Sequence, residues 1–220
     1  ACLAGVFSFT DGVALVCQRG LLMSKAPIGE MLAITCSKDE FLNYKTNTEL
    51  ALHNSRNHCV ASGSTEDILV LEAQVLTNGH TCKRLKVNHA FHSYLMDSIA
   101  KAFKDLFINI TLNIPKIAII SNVTGTWLTP DEATSPDYWY RQLRHTVQFS
   151  KGLKTLLAKN SPLFIEVGPG QSLSYFLQET SKSIVAKAPK VIHILQAKHS
   201  NESETRRFLN ALGYIWQNGI

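Results

Sequence analysis

The 220-residue sequence predicts an α/β fold in which a parallel-sheet domain carries a small inserted βαββαβ module. Three observations predict it. Short apolar runs pass through turn residues into helix-like segments, as residues 163–167 do through Gly168-Pro169-Gly170, the pattern of an α/β layer fold. About 60 residues in the first half follow the order β-α-β-β-α-β, the split-βαβ or ferredoxin-like arrangement. Residues 117–122, Ile-Ala-Ile-Ile-Ser-Asn, are apolar without alternation, as in a strand buried on both faces of a parallel sheet.

Each element has its own signal. Residues 1–4 read as the end of a helix, with Gly5 as its C-cap. Ser8-Phe9-Thr10-Asp11 offers N-cap chemistry for a helix over 10–25. In that helix Val13, Val16, Cys17 and Leu21 recur at helical spacing and Arg19 falls between them. Ala26-Pro27-Ile28-Gly29 ends it. A strand over 31–36, a helix over 38–44 opened by Ser37, and strands over 49–54 and 58–63 follow. Thr65-Glu66-Asp67 starts a helix to about Gly79, and residues 82–88 alternate as a strand. Helix is predicted over 94–109, 136–145 and 149–159. Strand is predicted over 117–122 and, buried, over 163–167, with a helix from Ser172. A last strand over 191–195, a polar stretch and a helix through Leu212-Gly213-Tyr214-Ile215-Trp216 complete the chain. The predicted domains are a large α/β part (1–28 and 90–190), the small module (29–89), and a tail (191–220).

Composition narrows the function classes. The chain is 45% hydrophobic and 18% charged, which are ordinary globular values. No apolar run reaches the roughly 18–20 residues that span a bilayer, so no membrane partner is expected. The start lacks Met and a basic n-region, so it does not read as a signal peptide. Five widely spread cysteines without a C-x-x-C pair argue against a disulfide framework or zinc knuckle and for a reducing, cytoplasmic setting. The net charge of +5 suits an acidic protein partner or a phosphorylated ligand, or simply a mildly basic solvated surface. The basic residues are scattered, and nucleic acid is not an expected partner.

The densest chemical signal is His89-Ala90-Phe91-His92. Histidine is the side chain whose unperturbed pKa lies nearest working pH, so this block marks a candidate reactive centre. The His-x-x-His spacing has no third ligand and follows a strand, so no metal site is expected. Hydrogen-bonded structural histidines are the alternative on residue chemistry alone.

The order of several further segments gives the block a context. They are Ala4-Gly5-Val6-Phe7-Ser8, Gln18-Arg19-Gly20 with Leu22-Met23, His89-Ala90-Phe91-His92-Ser93, Ser121-Asn122-Val123-Thr124-Gly125, Tyr138-Trp139 with Val147-Gln148-Phe149, and Glu166-Val167-Gly168-Pro169-Gly170-Gln171. Together they resemble the acyltransferase domain of type I polyketide synthases, which is similar to the free-standing malonyl-CoA:acyl-carrier-protein transacylases. The tail from Leu212 to Gly219 resembles the linker that follows that domain. The resemblance implies a partial α/β-hydrolase-like domain with a ferredoxin-like insert. It implies a ping-pong transfer of malonyl from malonyl-CoA to the phosphopantetheine thiol of an acyl carrier protein. Coenzyme A thioester is then a substrate, no cofactor is bound covalently, and ketosynthase and linker domains are neighbours.

The resemblance also assigns residues. His92 is implied as general base and later general acid. Arg19 is implied to hold the free malonyl carboxylate, a task suited to a bidentate guanidinium. Phe91 would fill the space an α-methyl branch needs, a preference of about 1–3 kcal/mol, with core packing as its alternative. His89 flanks the site, and Asn54, Asn122 and Gln148 match positions near the acyl pocket, or act as turn and capping residues. Gly168-Pro169-Gly170 reads as a strand-to-helix turn rather than a phosphate loop.

One family part has no counterpart. No Gly-x-Ser-x-Gly nucleophile elbow occurs in the 220 residues, and Ser8, Ser24 and Ser93 lack its glycine context. The resemblance places that elbow upstream of Ala1, which implies an N-terminally truncated domain. Two readings follow: part of an active malonyl-selective domain, or a non-catalytic remnant that binds a carrier protein. In either case the chain alone is expected to be inactive, and its uncovered strand edges are expected to make it poorly soluble.

Overall fold

A computed structural model describes residues 1–158, 163–185, 188–195 and 203–219. They fall into two compact units, Ala1–Gly152 and Leu153–Ile220. The polar stretch over 196–202, the predicted helix end at Lys159 and Ile220 lie outside the described residues.

The first unit opens on a tight helical stop. The Val6 amide donates to the Ala1 carbonyl (3.1 Å) and the Gly5 amide to that of Cys2 (2.8 Å), with Gly5 at φ 79°. This paired closure is the Schellman pattern, and it needs the left-handed conformation glycine supplies. Helix α1 (Phe9–Met23) follows, with the Ser8 side chain accepting from the Asp11 amide. The apolar positions that mark this helix in the sequence are not the ones it buries. Val13, Val16 and Leu21 are exposed, whereas Gly12 and Leu15 are buried and Leu22 and Met23 pack beside Leu15. Positions 12, 15, 19 and 22 also recur at helical spacing and form the more covered side of the helix.

The small module runs β1 (Glu30–Ile34), α2 (Lys38–Leu42), β2 (Glu49–Ser55), β3 (His58–Gly63), α3 (Thr65–Thr77) and β4 (Cys82–Arg84). Its strands form one antiparallel sheet in the order β2-β3-β1-β4, with Leu32 opposite Ala61 on one side and Arg84 on the other. Strand alternation splits the core in two. Leu32 and Ile34 face Phe41, Ile68, Leu71 and Val75, while Met31 joins Ala51 and Val60 on the opposite face. Ser37 and Glu40 close a reciprocal capping box on α2, and Ser64 caps α3. The last strand stops four residues earlier than predicted. Beyond Arg84 the Leu85 amide bonds Met31, and the Val87 amide turns back onto the Leu85 carbonyl (2.9 Å), a γ-type turn that leaves the ladder.

Two further expectations are corrected in this unit. The predicted helix over 94–109 is a 3-10 helix (Tyr94–Ile99) followed by a short α4 (Ala100–Asp105). Ser93 causes the tight start, its hydroxyl accepting from the Leu95 amide and its carbonyl from that of Met96. Residues 117–122 do not form a parallel strand. They fold back antiparallel, through Leu128 N to Ile119 O, Ser121 N to Thr126 O and a single bridge between Ile120 and Trp127. Gly125 makes the turn at φ 68°, a conformation that disfavours side chains. α5 (Pro130–Ala133), unforeseen, precedes α6 (Pro136–Arg144) and α7 (Phe149–Leu157).

In the second unit β5 (Leu163–Glu166) pairs in parallel with β6 (Lys190–His193), and α8 (Ser172–Ser181) and α9 (Glu204–Gln217) complete the described elements. β5 is not buried throughout as expected, since Ile165 and the following Val167 are exposed. Its buried residue is Glu166. That carboxylate accepts the Leu173 and Ser174 amides at 3.1 Å each, satisfying free donors at the start of α8.

Candidate active site

The site grows from the place where the chain leaves the first helix and returns from the module. Ile28 and His89 form a backbone bridge, and the Gly29 amide donates to Asn88 (3.2 Å). The two passes are so close that a Cβ on Gly29 would lie 2.7 Å from both the Gly63 carbonyl oxygen and Ala90 Cβ. Ala90 and Ser93 are fully buried, and the Ser93 hydroxyl donates to the Ala90 carbonyl (2.6 Å). Phe91 packs against two cores at once, that of Met31, Ala51 and Val60 and that of Leu15 and Met96. His89 stays at the edge, with Nδ1 3.3 Å from the Pro27 carbonyl.

His92 has φ 59°, and among the described residues it alone combines positive φ with a side chain. Such a conformation persists where the surroundings over-determine it. Its Nδ1 lies 3.1 Å from the His145 carbonyl oxygen. A carbonyl only accepts, so Nδ1 carries the proton and the Nε2 lone pair is left free. Burial, reinforced by the positive charge of Arg19, pushes the imidazole down to about 4 against the pull of that carbonyl. His92 is therefore neutral at pH 7, as a base must be.

Arg19 is half-buried, and burial depresses its guanidinium from the ordinary value. Its Nε donates to Met23 Sδ (3.4 Å). The same side chain lines a largely apolar cavity of about 350 Å³ together with Asn122, Gln142, Phe7, Leu15 and Trp139. A cavity walled by apolar side chains with one convergent cation suits a small anionic group.

The other expected residues are placed by backbone bonds. Gln148 donates its amide to the Asn122 carbonyl (2.8 Å), and Val147 bridges to β2 through Ala51 and His53. Asn54 is buried on β2, its amide nitrogen 3.3 Å from His58 Nδ1. His92 and Arg19 are thus in electrostatic reach, and Asn122 joins Arg19 at the cavity. Asn54, His89, Phe91, His92 and Gln148 are not among the cavity-lining residues. Sequence reasoning missed His145 and the half-buried Arg144 beside it, which bonds Glu49 and Asp97. A backbone carbonyl carries no sequence signal. Among the described residues no three His, Cys, Asp or Glu side chains gather as a metal-binding group, and no helix is long and apolar enough to cross a membrane.

Comparison with known proteins decides the family. The acyl transferase domain model matches residues 1–219. The chain belongs to the acyl transferase domain family. Relatives of this acyl transferase domain include the polyketide synthase GfsA of Streptomyces halstedii. That protein is 31% identical over 222 residues, covering 99% of this chain and 3% of its own length. Among solved structures, the acyl transferase domain of SpnD, in complex with 2-(pent-4-yn-1-yl)malonyl, superposes with a TM-score of 0.93 at 28% identity. That match covers 100% of this chain and 53% of the other. The acyl transferase domain of ZmaA gives a TM-score of 0.87 at 33% identity, covering 100% and 51%. The acyl transferase domain described here thus spans about half the length of these solved chains and a small part of the synthase.

Proposed function

We propose that this acyl transferase domain loads a malonyl unit from malonyl-CoA onto the phosphopantetheine thiol of an acyl carrier protein, by a ping-pong route through an acyl-serine. One observation carries the reading. The Nδ1–H of His92 is held on the His145 carbonyl, so a neutral imidazole presents a free Nε2. Nε2 takes the serine proton as the oxygen attacks the thioester carbon. The imidazolium then returns that proton to the departing coenzyme A thiolate. Arg19 makes that return favourable because its charge opposes a lasting imidazolium. In the second half the carrier thiol gives its proton to Nε2 and attacks the acyl-serine, and the serine leaves with the proton. Arg19 holds the distal malonyl carboxylate. Phe91, fixed between two cores, fills the space of an α-methyl group, and His89, Asn54, Asn122 and Gln148 shape the surroundings.

The serine is supplied by residues other than these 220, which contain no Gly-x-Ser-x-Gly. The proposed organisation keeps 29–89 as a ferredoxin-like insert in a larger domain (1–28 and 90–190) and 191–220 as strand and linker. The setting is a cytoplasmic synthase with ketosynthase and linker neighbours. The test is malonyl transfer by the intact synthase, read as thiol release. His92→Gln is expected to slow acyl-serine formation about 10²–10⁴-fold. Arg19→Gln is expected to lose malonyl-CoA while gaining relative use of acyl-CoA without a free carboxylate. Undiminished transfer in His92→Gln would refute the reading. The missing elbow favours a second reading, a carrier-protein-binding module without catalysis. An intact synthase whose chain includes no acylatable serine, yet retains carrier binding here, would select it.

A further inference from the structure

Arg144 closes α6, where a cation ordinarily complements the helix dipole. Its surroundings indicate a second task. The side chain is only 13% exposed, and Nη1 and Nη2 meet the Glu49 carboxylate at 2.6 and 3.0 Å. Nε donates to Asp97 Oδ1 at 2.6 Å, and the Tyr140 hydroxyl donates to the same oxygen at 2.7 Å. One guanidinium thereby ties α6 to β2 and to the 3-10 helix that starts two residues after His92. Downstream, the Thr146 hydroxyl donates to Leu50 O (2.6 Å), and Val147 N to Ala51 O (2.8 Å). Between these anchors lies His145, whose amide bonds Arg141 O (2.8 Å) and whose carbonyl receives the Nδ1–H of His92.

We propose that Arg144 is a positioning residue for His92, its fork on Glu49 and Asp97 holding the His145 carbonyl where it fixes the Nδ1–H tautomer. The inference rests on the reading of His92 as the base. Both ends of the His92–His145 bond are held by the same cation. Asp97 follows His92 by five residues, and His145 is the residue next to Arg144. Three donors in a rigid plane reach two carboxylates at once, a geometry lysine cannot copy. This clamp also gives a physical cause for the left-handed backbone at His92, since the turn is closed from both sides.

The test uses this chain and long-range proton–nitrogen spectra of its histidine rings at pH 7, with His92 assigned by its loss in His92→Gln. Wild type is expected to show His92 protonated on Nδ1. Arg144→Gln and Arg144→Lys are both expected to lose that signal. Arg84→Gln cuts a comparable clamp, to Glu30 and Glu72, and is expected to keep it. Should Arg144→Gln fail to fold, the more exposed Asp97→Asn is expected to show a partial loss. A folded Arg144→Gln with an unchanged Nδ1–H signal, an unchanged signal in Asp97→Asn, or equal loss in Arg84→Gln would overturn the proposal. Failure of malonyl transfer in the intact synthase with the tautomer result upheld would instead overturn the functional reading and leave the clamp standing.

Discussion

Two apolar runs of similar length end in opposite states. β1, Glu-Met-Leu-Ala-Ile, is buried with Leu32 and Ile34 essentially inaccessible, while residues 117–122 fold back on themselves and leave Ile117 59% exposed. The difference is partners. β1 has β3 on one edge and β4 on the other, both supplied from within the same module. Residues 117–122 have a ladder only with the residues just after them, from Thr126 to Leu128, and a single backbone bond beyond that fold-back, Gln148 N to Asn122 O, at their end among the described residues. Apolar composition says that a segment gains from burial, but the strand state also needs backbone partners on its edges.

Substitutions can break that comparison. The largest effect is expected in the module core, where Leu32→Ala or Leu71→Ala should cost about 2–5 kcal/mol. Ile117→Ala should stay within about 0.5 kcal/mol, both read by denaturant unfolding. Similar costs for the two would erase the contrast. Where the chain enters and leaves the module, Gly29→Ala should cost about 1–3 kcal/mol, because the new methyl meets the Gly63 carbonyl oxygen, which no rotamer can relieve. Ser37→Ala removes one side of the α2 capping box and should cost about 1 kcal/mol, below the core losses and above Ile117→Ala. A neutral Gly29→Ala would show that the two chain passes are not packed as closely as described.

The same contrast explains what was legible in the sequence. The module could be read because its caps, Ser37 and Ser64, its alternation and its strand partners are all local. α1 was legible as a helix but not in orientation, since the stripe of Val13, Val16 and Leu21 and that of Gly12, Leu15 and Leu22 share one period. His92 and Arg19 were singled out by motif resemblance, and the structure sets the Arg19 charge near enough to oppose protonation of His92. The partner of His92 was invisible because any residue type can offer a carbonyl. Arg144 was invisible because its carboxylates lie 95 and 47 residues away along the chain.

The proposed chemistry turns on a neutral His92 at working pH. Its folded pKa lies below the unfolded value near 6.5, so the unfolded chain binds more protons between the two. The stability that His92 contributes is therefore full above about 6.5 and is lost as pH falls toward 4. The most direct measurement is an NMR titration of the His92 ring in this chain. The expected midpoint is near 4, with the ring neutral and protonated on Nδ1 at pH 7. A midpoint at or above the ordinary histidine value would contradict it.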